Sequence, residues 1–396
     1  MKVNAESKPI YVFQSKLNKK SIELANQVMA DGWIGLGKVT EKFEREFAEY
    51  CGAKYCVGLN SATSALHIAL KCAGVKSKDR VMSTPLTFVS TNAAIQYLGA
   101  RPEFCDVDPA TLTQSPEIYL DRIKFHYSQA NVLPRYAVHV HFGGLAMEPS
   151  IMEMIESQCG ITLINDYAHC AGAKHFDGSM AGSYGDFNTF SFHAVKNLPS
   201  PDGGALVTNN EHVYKRAKKL RWLGISQDTF SRTATKGRNK YSWIYNVDEL
   251  GWKYHMNDLT AAILLGGLET LDKDNARRRE IREKYREGIV NGFIKPLGNQ
   301  GYQSGHMAIY QVPKGCNRDI VIERLKSEFN IHPGVHYIPN YQFKPFKDNT
   351  IDYPSDPSTW IVNDIWEELI TLPCHLLMSD SDINRVIEAV NTICGD

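Results

Sequence analysis

The sequence predicts an α/β fold, with a mainly parallel sheet covered by helices on both faces and a smaller C-terminal part that mixes strands and helices. Three observations predict it. Between about residues 40 and 210, short apolar runs alternate with helical patterns, as strand–helix–strand units do. From about Asn188 the alternation gives way to two strands joined by a loop, then to longer helical sequence. The length, 396 residues, exceeds what one small core organises. Residues 1–250 are therefore assigned to a large domain. Residues 251–396, with a long connecting helix, are assigned to a smaller α+β domain.

Taken in order, Lys54–Leu59 reads as a strand and Thr63–Ala73 as the helix after it. Arg80–Ser83 is a second strand, followed by a helix near Val89–Leu98, and Pro102–Asp106 is a third strand. Tyr136–His141 and Ile161–Asn165 are further strands, each preceded by helical or polar sequence. Asn188–Phe192 and Ala205–Thr208 follow, and 211–223 reads as a helix. Ser226–Tyr245 is polar and basic and reads as a long exposed loop, a kind of segment that often carries function. Asn257–Arg286 reads as one long helical stretch ended by Gly288.

Composition narrows the function classes. Lys+Arg equals Asp+Glu at 44 each, so no global basic field for nucleic acid exists. The nine cysteines are scattered without C-x-x-C spacing, which fits reduced thiols rather than zinc or redox motifs. No run approaches a membrane span, and the N-terminus lacks the apolar core of a signal peptide. A soluble cytoplasmic protein is the expectation.

In open parallel sheets ligands bind beyond the carboxyl ends of the strands, so the residues there are the candidates. After the first strand comes Asn60-Ser61-Ala62-Thr63, small residues at a helix start, where free N–H groups and the helix dipole hold anions. Ala62 and Thr63 can offer N–H groups, and Thr63 a hydroxyl, to a phosphate. Phe88 follows the second strand and can stack on a planar ring. Asp166 ends the Ile161–Asn165 run, where a carboxylate can keep a pyridinium nitrogen protonated. Lys196 follows an apolar strand and precedes the tight turn Pro199–Gly204, and a lysine there can form a Schiff base. Each feature alone has an ordinary reading as a cap, a core aromatic or a surface charge. Together they make the set that pyridoxal 5′-phosphate (PLP) requires.

Several blocks carry a family resemblance: NSATSALHIAL (60–70), TPLTFVSTNAAIQYLGARPEFCDVDP (84–109), NDYAHCAGA (165–173), SFHAVKN (191–197), GGALVTN (203–209) and KYHMNDLTAAI (253–263). In these blocks the chain resembles the DegT family of fold-type-I, PLP-dependent sugar aminotransferases, over nearly its whole length. The resemblance implies a mixed, mainly parallel seven-stranded sheet. It assigns the Schiff base to Lys196, the pyridine-nitrogen carboxylate to Asp166, the neighbour of the ring's phenolic oxygen to His169, and ring stacking to Phe88. Phosphate contacts fall to Ala62, Thr63 and Ser191. The family works as homodimers with shared active sites, which places the segment bearing His255 and Asn257 at the partner's phosphate. Gly35, His336 and Tyr337 join the substrate side, and Arg232 and Arg238 of the basic loop are expected to meet the nucleotide. Three places depart from the family pattern: His255 stands where some relatives carry Asn or Arg, Asn165 replaces an acidic residue, and Pro201-Asp202 stands where Gly-Glu is common.

The implied activity is amine transfer from an amino acid, glutamate by resemblance, to a keto-sugar nucleotide for amino-sugar and cell-surface glycan synthesis, with a lean to 4-keto sugars. Retention of Lys196 favours this over dehydration of the sugar, the nearest alternative. A PLP-binding regulator without turnover would need an attached DNA-binding segment or loss of the catalytic groups, and neither is expected here. Two decoys are set aside. The Gly32–Val39 stretch nearly spells a P-loop but ends in Val39 where Ser or Thr should bind Mg²⁺. His139 and His141 have metal-like spacing without an evident third ligand, so no metal site is assigned.

Overall fold

The computed structural model describes residues 8–128, 133–226, 245–290, 292–293, 303–313, 315–347 and 360–393. A short strand β1 (Ile10–Tyr11) leads into the sheet-forming strands. These are β2 (Tyr55–Leu59), β3 (Arg80–Ser83), β4 (Arg101–Phe104), β5 (Tyr136–Val140), β6 (Thr162–Asp166), β7 (Asn188–Ser191) and β8 (Gly204–Thr208). They form one seven-stranded sheet in the order β2-β8-β7-β6-β5-β3-β4. β8 is antiparallel to both its neighbours, and the other pairs are parallel. The reversal follows from the β7–β8 connection: a loop without a crossover helix can join only antiparallel neighbours.

The strands of the sheet match the reading above to within a residue or two, while the helix read over 211–223 ends at Leu220. The helix after β2 is Ala62–Ala73, capped by Ser61, whose side chain accepts the Ser64 N–H, and ended by Gly74 in the left-handed region (φ 99°). The expected single stretch Asn257–Arg286 is corrected to two helices, Asp258–Leu268 and Leu271–Gly288. The break is a turn at Glu269 and Thr270: the Thr270 N–H donates to the Gly267 carbonyl (3.1 Å), three residues back, and its hydroxyl donates to Asp274 (2.8 Å) at the start of the second helix. Helical sequence on both sides hides such a break from any pattern in the chain. The first of the two is apolar and meets helix Lys19–Asp31 so closely that a Cβ on Gly266 would strike the Ser21 backbone.

Helix Lys38–Tyr50 fastens β7 in place. Phe43 and Phe47, fully buried, meet Phe192 edge-on at 5.4 and 5.1 Å, and Phe47 meets Phe190 at 5.2 Å. Truncating one such ring to alanine costs about 3–5 kcal/mol. The helix start is held by a carboxylate from far along the chain. Asp258 accepts the N–H groups of Gly37 (2.9 Å) and Thr40 (2.9 Å) and the Thr40 hydroxyl (2.7 Å). The near-P-loop of 32–39 thus leads into a helix N-terminus already filled by an anionic side chain.

Beyond the sheet, β9 (Ala308–Gln311) pairs antiparallel with β11 (Leu369–Leu372), and β10 (Ile331–His332) pairs parallel with β1. Ile10, Tyr285, Leu325, Ile331 and Val386 share a core there. The described cysteines are free, and no described helix is long and apolar enough to cross a membrane.

Candidate active site

The carboxyl ends of β2, β6 and β7 open on one cavity of about 370 Å³. The anion cradle lies at the end of β2. Ser61 Oγ takes the Ser64 N–H, which leaves the N–H groups of Ala62 and Thr63, first-turn residues with no intrahelical acceptor. Ala62 and Thr63 both line the cavity. β8 comes close beneath them because residue 204 is glycine; a Cβ there would run into the Ser61 and Ala62 backbone. Ser191, the last residue of β7, lines the cavity on the same side.

Asp166 ends β6 and is 4% exposed. Its Oδ2 accepts the Thr91 hydroxyl (2.9 Å) and its Oδ1 the Ala168 N–H (3.1 Å). Burial pushes its carboxyl up; the two hydrogen bonds and the nearby Lys196 charge pull against that. Lys196, in the loop after β7, is half-buried and its free surface is on the cavity. Burial brings its ammonium down to about 8, against the attraction of Asp166. About a tenth of this amine is therefore unprotonated near pH 7, far more than for a surface lysine.

His169 is buried, and its Nδ1 accepts the Gly143 N–H (3.2 Å). Burial and the Lys196 charge hold the ring well below the usual histidine range, so it is neutral with its proton on Nε2, which faces the Tyr337 hydroxyl at 3.4 Å. Phe88 is 56% exposed, lines the cavity, and tilts toward Tyr337 with ring centroids 6.0 Å apart. His336 and Tyr337 line the cavity as well. Their segment is tied to the Phe88 turn through Asn340, which donates to the Thr87 carbonyl (2.8 Å) and accepts from Asn92 (2.8 Å).

Some expected residues lie elsewhere in the chain's own fold. Gly35 is exposed, and its carbonyl accepts the Asp258 N–H (2.8 Å) away from the cavity. His255 bridges Leu59 and packs edge-on against Trp222 (4.4 Å), and exposed Asn257 caps the helix behind it. Neither lines the cavity. Arg232 and Arg238 lie outside the described residues. His139 bonds Tyr119 (3.0 Å) and Thr113 (3.2 Å); His141 bonds Asn165 (3.2 Å) and the Met147 N–H (3.0 Å). Both are buried core histidines with their ring nitrogens engaged. Asn165, the departure from the family pattern, also donates to Asn188 (3.0 Å) and so links β6 to β7 by side chains.

Residues 15–391 match the model of one family. The chain belongs to the DegT/DnrJ/EryC1/StrS aminotransferase family. It is 34% identical over 389 residues to the spore coat polysaccharide biosynthesis protein SpsC of Bacillus subtilis, covering 95% of each chain. Its fold matches the aminotransferase TlmJ from Streptoalloteichus hindustanus at a TM-score of 0.83, with 29% identity and 97% and 98% of the two chains covered. It also matches the pyridoxamine-phosphate form of Spr1654 from Streptococcus pneumoniae at 0.85, with 24% identity over 98% and 99% of the chains. Aminotransferases of the DegT family depend on PLP, and the cavity of this member fits that cofactor. It offers paired helix N–H groups for a phosphate, a buried carboxylate for a ring nitrogen, an exposed aromatic beside the ring position, and an amine of lowered basicity.

Sequence reasoning missed Thr91, Asn197, Ser304, His306 and Phe13. Thr91 carried a signal, four residues beyond Thr87 on the helix after the Phe88 turn, where the two hydroxyls meet (3.0 Å). Phe13 and His306 carried none, because they reach the cavity by packing from distant segments.

Proposed function

We propose that the chain transfers an amino group from an amino acid, glutamate, to a keto-sugar nucleotide, with 4-keto sugars preferred, in cytoplasmic amino-sugar synthesis. The observation that carries this reading is the Lys196 amine, brought down to about 8 on the same cavity as a fixed, buried Asp166 carboxylate. When bound, PLP supplies an electrophilic carbon and a ring that accepts electron density. Lys196 Nζ bonds the cofactor and, once free, takes up and returns the proton that moves during amine transfer. Asp166, held by Thr91 and Ala168, keeps a proton on the ring nitrogen. Ala62, Thr63 and Ser191 hold the phosphate. His169 Nε2–H donates toward the ring's phenolic oxygen. We assign the site to a homodimer, in which His255 and Asn257, lying outside the chain's own cavity, serve the partner's phosphate. The kinship to a polysaccharide biosynthesis protein supports a sugar acceptor.

The experiment is to incubate the PLP-loaded enzyme with nitrogen-15 glutamate and a panel of keto-sugar nucleotides, and to determine the products by NMR. Label on a sugar carbon is expected. A dehydrated sugar formed equally well without glutamate would replace this reading with elimination.

A further inference from the structure

His306 lies just before β9, lines the cavity and is 1% exposed. Its ring packs against His169 (centroids 4.8 Å apart) and stacks on Phe13 (5.4 Å, 7°). Neighbouring amides decide where its proton sits. Asn275 Nδ2 donates to the Ala171 carbonyl (2.9 Å), so Asn275 Oδ1 is the acceptor for Asn197 Nδ2 (2.7 Å). Asn197 Nδ2 also donates to the Ser304 carbonyl (2.9 Å), which turns Asn197 Oδ1 to His306 Nδ1 at 2.9 Å. Reversing either amide would set oxygen against oxygen. An amide oxygen cannot donate, so Nδ1 carries the proton. Burial and the Lys196 charge keep the imidazole from gaining a second one.

His306 Nε2 is thus a buried lone pair, with almost no surface of its own, on a residue that lines the cavity, and it has no hydrogen-bond partner among the described residues. A buried acceptor left so is costly, and a ligand that supplies a donor relieves it. The neighbouring His169 presents the opposite face, an N–H. The two substrates differ in what they can offer: glutamate, apart from its reacting amine, presents carboxylates that only accept, whereas a sugar presents hydroxyls. We propose that His306 is a specificity-determining residue whose Nε2 accepts a hydrogen bond from a ring hydroxyl of the keto sugar. This inference rests on the sugar reading above.

Two substitutions and a set of deoxy-sugar nucleotides test it, with each half-reaction followed by single turnover of the holoenzyme. His306→Asn keeps a donor toward Asn197 but removes the acceptor at Nε2. The rate of the sugar half-reaction should fall about 10- to 100-fold, and at least ten times further than that of the glutamate half-reaction. His306→Gln, which sets an amide oxygen near the lost Nε2, should recover part of the rate. One ring-deoxy analogue should react poorly with the wild-type enzyme yet no worse with His306→Asn than the parent sugar does. Equal slowing of both half-reactions, or every deoxy analogue losing as much in the variant as in the wild type, would overturn the inference. If His306→Asn does not fold, indifference of the wild-type enzyme to every ring-deoxy analogue overturns it. A wild-type enzyme that aminates no keto-sugar nucleotide fails at the earlier step and removes the sugar reading itself.

Discussion

The floor of the cavity and the wall above it differ in origin. Asp166, Ser191 and Lys196 stand at the ends of adjacent strands of one sheet, with Thr91 a helix away. Phe13, His306, His336 and Tyr337 come instead from the N-terminal segment and from the region around β9 and β10. The floor is rigid because fully buried phenylalanines fix β7 and a hydroxyl fixes Asp166. The wall is held by amide links: Asn340 to Thr87, Asn197 to Asn275 and Ser304. The Ser15 hydroxyl also donates to the Ala194 carbonyl, two residues before Lys196, so the two regions touch at the loop that carries this lysine. On the proposed function, the contrast places chemistry common to both half-reactions on the floor and leaves discrimination between substrates to the wall.

The largest effect that sharpens this contrast belongs to the floor. Asp166→Ala should lower both half-reactions by about 10²–10³-fold, the scale of losing a preorganised electrostatic partner. Thr91→Val, which removes only the hydroxyl holding Asp166, should cost both about tenfold. Single-turnover rates with each substrate check this, and a loss confined to one half-reaction would erase the division between floor and wall. A smaller effect is in pH. On the proposed function the neutral amine of Lys196 is the nucleophile, so cofactor capture by the apo-enzyme should speed up as pH rises, with a midpoint at about 8. Because the Asp166 charge holds the Lys196 ammonium up, Asp166→Asn should move the midpoint below that value. Stopped-flow capture rates across pH read both; a midpoint near 10.5, the ordinary lysine value, would place the amine in water.

The same division explains what was legible in the sequence. Apolar runs followed by small, acidic or basic residues mark strand ends, so Ala62, Asp166 and Lys196 are legible as candidates in the sequence. Sheet strands were placed to within one or two residues for the same reason. The break at Thr270 is not legible, since one hydroxyl bond and one tightened turn separate two helical stretches. Nor was His306, because its protonation depends on four amide groups from segments that meet only when folded. Asn165, a departure from the motif, is a buried link among His141, Asn188 and β6.

The claim beneath the rest is that one particular amine joins the cofactor. Borohydride reduction of the PLP-loaded enzyme, followed by proteolysis and peptide mass spectrometry, tests it directly. The account predicts the added pyridoxyl-phosphate mass on the peptide bearing Lys196, and its loss from Lys196→Ala. Attachment to a different lysine, or none in an enzyme that still transfers amine, would contradict it.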